Sequence, residues 1–538
     1  MVLIAYRDTS ITSVIAYYSA GAKHNLILSP SLLEQALKDI PKSEQNDITK
    51  WPILRNVFRM PKDAESQYFD LRTSMVNEID DQIFQGHHME QLLSSALSIL
   101  TESLPDLVTF NSSIVDQMAW ERVANIELTD GTVEAEADLF ALINEFFCNA
   151  IIIPITGPQF LESYQLLASD LSSLSERYYA LAAGLPRLYP LPGLPGAMLA
   201  KKRLSQNFQR LFNEVDDPPK KRVPDDDESM SGEETDADAP TPLTALNNYF
   251  RGRNVPIPVR AAIMSQIVHD LVSELVPLAF WSLVHIHTSV AQTKDQSVGP
   301  TLVDDIRNET QIWVQATQPP SIHPSFPAPP EIAFSGLPRV VSSTSFPHLR
   351  SCLNEARRLY KAPVTTTRLE KAISLTEPES IRPGVEEKWE LDAGSLLDVG
   401  LTQTLINTSS ANFIAPAEYI PDRFLHSSPP SSVTSTFDPQ ESLKSSLLVA
   451  FVAGILQLWE IAAAPKKSLY DHMQEAQAAA MGEKLNTSGQ SNKEKKVGKW
   501  IIPNTMDGAN VIIPKGDVRV RIRRREGLPE RRSLRKGR

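Results

Sequence analysis

Apolar residues recur at three-to-four spacing through Met89 to Leu104, Ala135 to Ile152 and Gln159 to Ala183. That period lays a stripe along one face of a helix, so the first two hundred residues read as helix packed on helix. The run Gly184 to Gly196 breaks the pattern, because its four prolines remove backbone donors and fix φ. It reads as an ordered connector or an edge. Helical spacing resumes from Ala197 to Asn213 and gives way to Asp216 to Pro242, which has almost no large apolar residue to offset the entropy of ordering. A disordered acidic surface loop is expected there. Pro258 to Thr293 is the longest helix expected after it, and between Leu271 and Val290 it is apolar almost all round, the mark of a central helix buried on every side.

A proline-rich connection, Gln318 to Pro338, leads to a short amphipathic helix, His348 to Tyr360, and then to β-branched segments and turns through Leu405. Strands are therefore expected in the second half alone. The apolar run Leu447 to Ala464, helical through Ala463, contains Gln457 and Glu460, which favour a buried core helix over a membrane span. A Lys/Asn/Ser-rich stretch follows. Val511 to Ile513 and Val518 to Ile522 then flank the turn Pro514-Lys515-Gly516-Asp517, a β-hairpin pattern. The fold class expected is mainly α with a small β subdomain, with no internal repeat.

Charge changes this picture at two places. The segment Glu214 to Asp238 has a local balance of −8 and Asp517 to Arg538 one of +7, so the −12 of the whole chain leaves a mild acidity elsewhere and points to no nucleic-acid partner. The basic end reads as a solvated tail, with a nuclear signal or a contact to an anionic surface as alternatives. Cys148 and Cys352 are the two cysteines; each sits in a helical stretch, outside any zinc or disulfide spacing, and fits a reducing intracellular compartment. Residues 1–19 read as a remnant with neither a signal-peptide core nor a membrane anchor.

Hydrolase, nucleotide-binding and zinc signatures are missing: no Gly-x-Ser-x-Gly, no phosphate loop, no His-Glu-x-x-His and no paired Cys-x-x-Cys. His285 and His287 lie two apart on a helix, on opposite faces, and read as packing residues; His87-His88 adjoins a loop and is less suggestive still. Glu355 and Arg358, three apart, share a helical face. The surrounding Leu349 to Tyr360, with Pro363 and Arg368, resembles the K-helix of the cytochrome P450 (haem-thiolate monooxygenase) family and its Glu-x-x-Arg motif. Pro416-Ala417-Glu418-Tyr419-Ile420-Pro421-Asp422-Arg423-Phe424 looks like the same family's Pro-Glu/Asp-Arg-Phe segment. Trp281 to Thr293 is similar to its central I-helix and Phe451 to Trp459 to its L-helix. Ile502 to Arg525 resembles the terminal hairpin of fungal members related to sterol 7α-hydroxylase and prostacyclin synthase. The likeness covers residues 20–526, with the acidic loop 216–242 inside it and a basic disordered tail at 527–538.

The resemblance implies a cytochrome P450 fold, a buried charge triad of Glu355, Arg358 and Arg423, a haem propionate partner in Arg368, and an oxygen-activating hydroxyl at Thr288 or Ser289. It implies haem as cofactor, a lipophilic substrate (sterol, fatty acid or secondary metabolite), O2, and electrons from an NADPH-dependent reductase. It places the protein at the endoplasmic reticulum membrane if an anchor is restored, and otherwise in the cytoplasm. The family's Phe-x-x-Gly-x-x-x-Cys-x-Gly loop has no counterpart, because Leu425 to Ser446 contains neither Cys nor Gly. Counting from either side puts the axial position between Ser432 and Asp438. Three readings follow: a monooxygenase whose recorded sequence lacks a short segment, a non-catalytic relative serving as a binding or scaffold protein, and an unrelated α-rich interaction protein.

Overall fold

The computed structural model describes residues 12–40, 47–130, 133–217, 241–293, 300–320, 328–377, 387–434, 438–465 and 498–530. Most of the acidic loop, the Lys/Asn/Ser-rich stretch, the first eleven residues and the tail from 531 lie outside them. The described residues are mainly helical, with several small sheets.

The central helix runs Ile257–Thr293 and is buried from Leu271 to Ile286, as its all-round apolar sequence requires. The helices packed on it include Leu139–Thr156, Leu194–Asp216, Pro347–Tyr360 and Glu441–Leu458. Rings fix the contacts. Phe147 stacks on Phe451 at 4.1 Å, and Phe140 meets Phe280 edge-on at 5.3 Å. Among the described residues, three helices are long and apolar enough to cross a membrane by length and composition: Leu139–Thr156, Ile257–Ala291 and Glu441–Leu458. The rest of the fold already buries 72%, 94% and 83% of the most apolar 18-residue stretch of each, so these apolar surfaces form the core.

Strands are not confined to the second half. Val14–Ser19 and Ala22–Ile27 form a hairpin whose turn, Ala20 and Gly21, has both φ positive, the geometry that suits a two-residue connection. Leu396–Leu397 then pairs with the second strand and Thr367–Arg368 with Leu396–Leu397. Ile27, Leu33, Leu375 and Ile406 build a small separate core over this sheet. The expected boundary at residue 20 thus falls inside a hairpin.

A second sheet takes the order Trp459–Ala463, Arg519–Arg524, Glu134–Asp138, Glu127–Asp130. It corrects three expectations. Residues Glu134–Asp138 are strand, and the helix expected from Ala135 starts at Leu139, where Asp138 accepts from the Phe140 amide at 3.1 Å. The helix expected through Ala463 stops at Leu458, and Trp459–Ala463 continues as strand, since an apolar run carries no period that separates the two. The C-terminal hairpin does not form: Ile513–Pro514 pairs back to Thr505–Met506, while Arg519–Arg524 lies between Trp459–Ala463 and Glu134–Asp138. Acids explain that choice. Arg521 pairs with Glu136 at 2.9 Å and Arg523 with Glu460 at 2.7 Å, so part of the basic end is neutralised within the fold. The stretch Gln159 to Ala183 divides into Pro158–Ser163, Leu167–Glu176 and Tyr178–Ala182. The proline connector holds to Gly193, where φ is +80°, and the next helix opens at Leu194.

Candidate functional site

The Pro347–Tyr360 helix supplies the first two members of the charge triad. Glu355 and Arg358 are fully buried and pair bidentately at 2.8 and 2.9 Å. Arg423, from the Pro416 to Phe424 segment, reaches the same carboxylate with its Nε at 2.9 and 3.0 Å. The guanidiniums carry the remaining donors to backbone carbonyls. Arg358 donates to Asn407 and Pro416 at 2.7 and 2.8 Å, and Arg423 to Ile414 at 2.8 Å. The Ile420 amide donates to Glu355 at 3.1 Å and the Phe413 ring lies against both cations. One carboxylate therefore clamps an irregular segment, which includes Ala415 at φ +46°, onto a helix.

The central helix meets this clamp through aromatic rings. Trp281 stacks on Tyr360 at 4.1 Å, and His285 stacks on Tyr419 at 4.2 Å while sharing a 2.7 Å hydrogen bond with the Tyr360 hydroxyl. His287 stacks on Trp500, so the two histidines face different partners and share no site. Thr288 lies one residue further on; its hydroxyl donates to the Val284 carbonyl at 2.7 Å, inside its own helix. Arg368 is exposed on a two-residue strand and forms no ion pair among the described residues.

Burial pulls His285 and His287 down to about 4, with Arg307 adding to the effect at His287. Unfolding returns them to about 6.5, so the unfolded chain binds more protons between those values and stability falls as pH drops through that window. Each costs on the order of 3 kcal/mol. Glu145, desolvated on the Leu139–Thr156 helix and raised to about 7, acts in the opposite sense, because its folded form keeps a proton that the unfolded chain releases above about 4.5. The urea midpoint is expected to fall from pH 7 to pH 4.5, and Glu145→Gln should roughly double the drop. An unchanged midpoint in Glu145→Gln over that range would show that the imidazoles are not held neutral.

Sequence reasoning missed a second charge cluster, set between the central helix and the Glu441–Leu458 helix. Glu274 pairs with Lys361 at 2.7 Å and with Lys444 at 2.9 Å, and Lys444 also reaches Asp438 at 3.3 Å. Arg357 pairs with Glu441 next to it. The lysines hold the Glu274 carboxyl well below the usual range, and the acids hold the Lys444 ammonium above its own. The one available signal was Glu274, a charge within an otherwise apolar stretch of the central helix.

These residues do not fit the haem that the resemblance implies. Cys352 lies on the Pro347–Tyr360 helix, with its thiol pushed up to about 12 by burial, and burial in the core also raises Cys148 well above the ordinary thiol range, so neither supplies a thiolate. At the expected axial position Ser432 is buried with its hydroxyl unpartnered, and Asp438 is engaged with Lys444 and the Gln440 amide. The hollow beside Pro277 has a volume of about 10 Å³, where a drug-sized ligand needs roughly 300–1,000 Å³. Yet several buried polar atoms around Asn407, Ser432 and Glu441 lack partners among the described residues: Arg357 Nε and Nη2, Glu441 Oε2, Asn407 Oδ1 and Ser432 Oγ. Such atoms each cost about 1–3 kcal/mol and mark a place where polar partners are wanting. The chain matches no known protein family and no curated protein.

Proposed function

We propose that the chain is built on the frame of a cytochrome P450, a haem-thiolate monooxygenase of lipophilic substrates, in a form that lacks the thiolate loop and does not turn over as it stands. What supports this reading is the buried convergence of Glu355, Arg358 and Arg423 from two segments 68 residues apart. A pair three residues apart is common on solvated helices, but a second cation on the same buried carboxylate is a specific arrangement. With the loop restored, the reaction would be oxygen insertion into a sterol-, fatty-acid- or secondary-metabolite-like molecule, with electrons from an NADPH-dependent reductase at the endoplasmic reticulum membrane.

The unpartnered atoms of Arg357, Glu441, Asn407 and Ser432 favour a segment lost from the recorded sequence. The Glu274–Lys444 cluster favours the second reading, a non-catalytic binding or scaffold relative whose interior closes without a cofactor. Transcript sequence across residues 425–446 separates the two. The test of the chain itself is the reduced, CO-bound difference spectrum after incubation with haem. No red-shifted Soret band is expected; a band at the thiolate position would overturn the conclusion that no thiolate is supplied.

A further inference from the structure

A pocket of about 260 Å³ opens to solvent between the loop after the Lys50–Asn56 helix and the start of the Leu194–Asp216 helix. Arg55, Lys62 and Lys201 line it together with Met60, Leu185 and Met198, and none of its lining residues is acidic. It shares no lining residue with the Glu355 or Glu274 clusters.

Hydrogen bonds hold its walls. Asn56 Nδ2 donates to the Ala182 carbonyl at 2.8 Å, the Met60 amide donates to Leu54 at 2.9 Å, and Lys201 Nζ donates to the Asn56 carbonyl. A neutral carbonyl is thus the anchor of the half-buried ammonium. Arg59, in the left-handed region at φ +61°, is close enough for its charge to join burial in lowering the Lys201 pKa. Among the described residues none of Arg55, Arg59, Lys62 and Lys201 enters an ion pair. Three cations line one hollow that has no acid among its lining residues, and Arg59 adds its charge beside Lys201, so like charges are gathered there and repel one another. A multi-oxygen anion removes the repulsion and gives the guanidinium and the ammonium groups charge-assisted bonds.

The apolar lining narrows the ligand class, since a free inorganic ion has no use for two methionines and a leucine. The same connector continues into Leu188, 93% exposed, and Tyr189, 47% exposed, an apolar surface beyond the pocket. We propose that this pocket binds the phosphate or carboxylate head of an anionic amphiphile, with the first methylenes of its chain against Met60, Leu185 and Met198.

Dodecyl phosphate, titrated below its micelle concentration into the full chain, is the first probe, with dodecyl maltoside as the uncharged control. Co-sedimentation with phosphatidylcholine vesicles, with and without phosphatidylserine, forms a second arm that separates a bilayer source from a free amphiphile. The double variant R55Q/K62Q changes two exposed side chains, and K201Q serves as the independent variant; circular dichroism checks the fold of each. Wild type should bind dodecyl phosphate or phosphatidylserine vesicles, and R55Q/K62Q should bind at least about tenfold more weakly, from the loss of two charge-assisted bonds. Such a loss in the first arm assigns a free amphiphile, and in the second a lipid headgroup. Equal binding by wild type and both variants, equal binding of the uncharged control, or no binding in either arm overturns the proposal.

Discussion

Replacing Glu355 by Gln is expected to lower the stability of the chain by about 3–5 kcal/mol, because two guanidiniums are then left buried without their counter-charge. Arg358 has nowhere to go: its side chain is fully covered, and three carbonyls already take its other donors. Arg423 retains 10% side-chain exposure, so Arg423→Gln should cost less than Glu355→Gln. The effect should also be local in origin. The segment from Ile414 to Phe424 is held to the helix by the carboxylate, by the Tyr419 hydroxyl on the Cys352 carbonyl at 3.0 Å, and by the Ser351 hydroxyl on the Pro421 carbonyl at 2.5 Å. Urea unfolding measures the change, and hydrogen exchange across residues 414–424 should show protection lost there first. A Glu355→Gln chain that unfolds within about 0.5 kcal/mol of wild type would mean that the clamp contributes no more than a surface pair.

The second large effect belongs to Glu274. Changing it to Gln leaves Lys361 and Lys444 facing each other, with Asp438 the remaining acid on Lys444, and should again cost about 3–5 kcal/mol. Glu274→Met combined with Lys444→Met should recover most of that loss, since an apolar pair of similar volume avoids the desolvation of both charges, and Lys361 can extend toward solvent. A double-mutant cycle read by urea unfolding should give a coupling above about 1.5 kcal/mol. Strict additivity would mean that the two side chains do not act as a pair. Linkage gives a matching pH signature: the depressed Glu274 carboxyl contributes stability that is present above about 4.5 and is lost as pH falls further.

The two clusters differ in how far they could be read from the chain. Glu355 and Arg358 are three apart on a helix, so their pairing is local and visible, and Arg423 follows from a short motif with proline and aromatic neighbours. Glu274 and Lys444 are 170 residues apart, Glu274 within a largely apolar helix and Lys444 in a polar turn just before an apolar run. Periodicity marks Glu274 as an anomaly but cannot say that Lys444 answers it. Strand assignment failed for a related reason. Glu134 to Asp138 alternates over five residues and runs straight into an apolar helix, and Trp459 to Ala463 prolongs an apolar helix without a break. In both cases the partner strand, Arg519–Arg524, decides the outcome from far along the chain. The long helices needed no such help, because burial on all sides is written into their own composition.

That late partner also sets an order of events during synthesis. The Val518 amide and Asp138 carboxylate that meet at the sheet edge are 380 residues apart, and Arg521 and Glu136 are 385 apart. At about 5–20 residues per second, the ribosome delivers Glu134–Asp138 roughly 20–80 s before its partner strand exists. Through that interval Arg521, the partner of Glu134 and Glu136, is not yet made, and a strand edge stays open beside the most apolar helix of the first half. The acids that later become ion pairs serve first as solubilising charges on an unfinished sheet, and the fold closes only when nearly the whole chain has emerged.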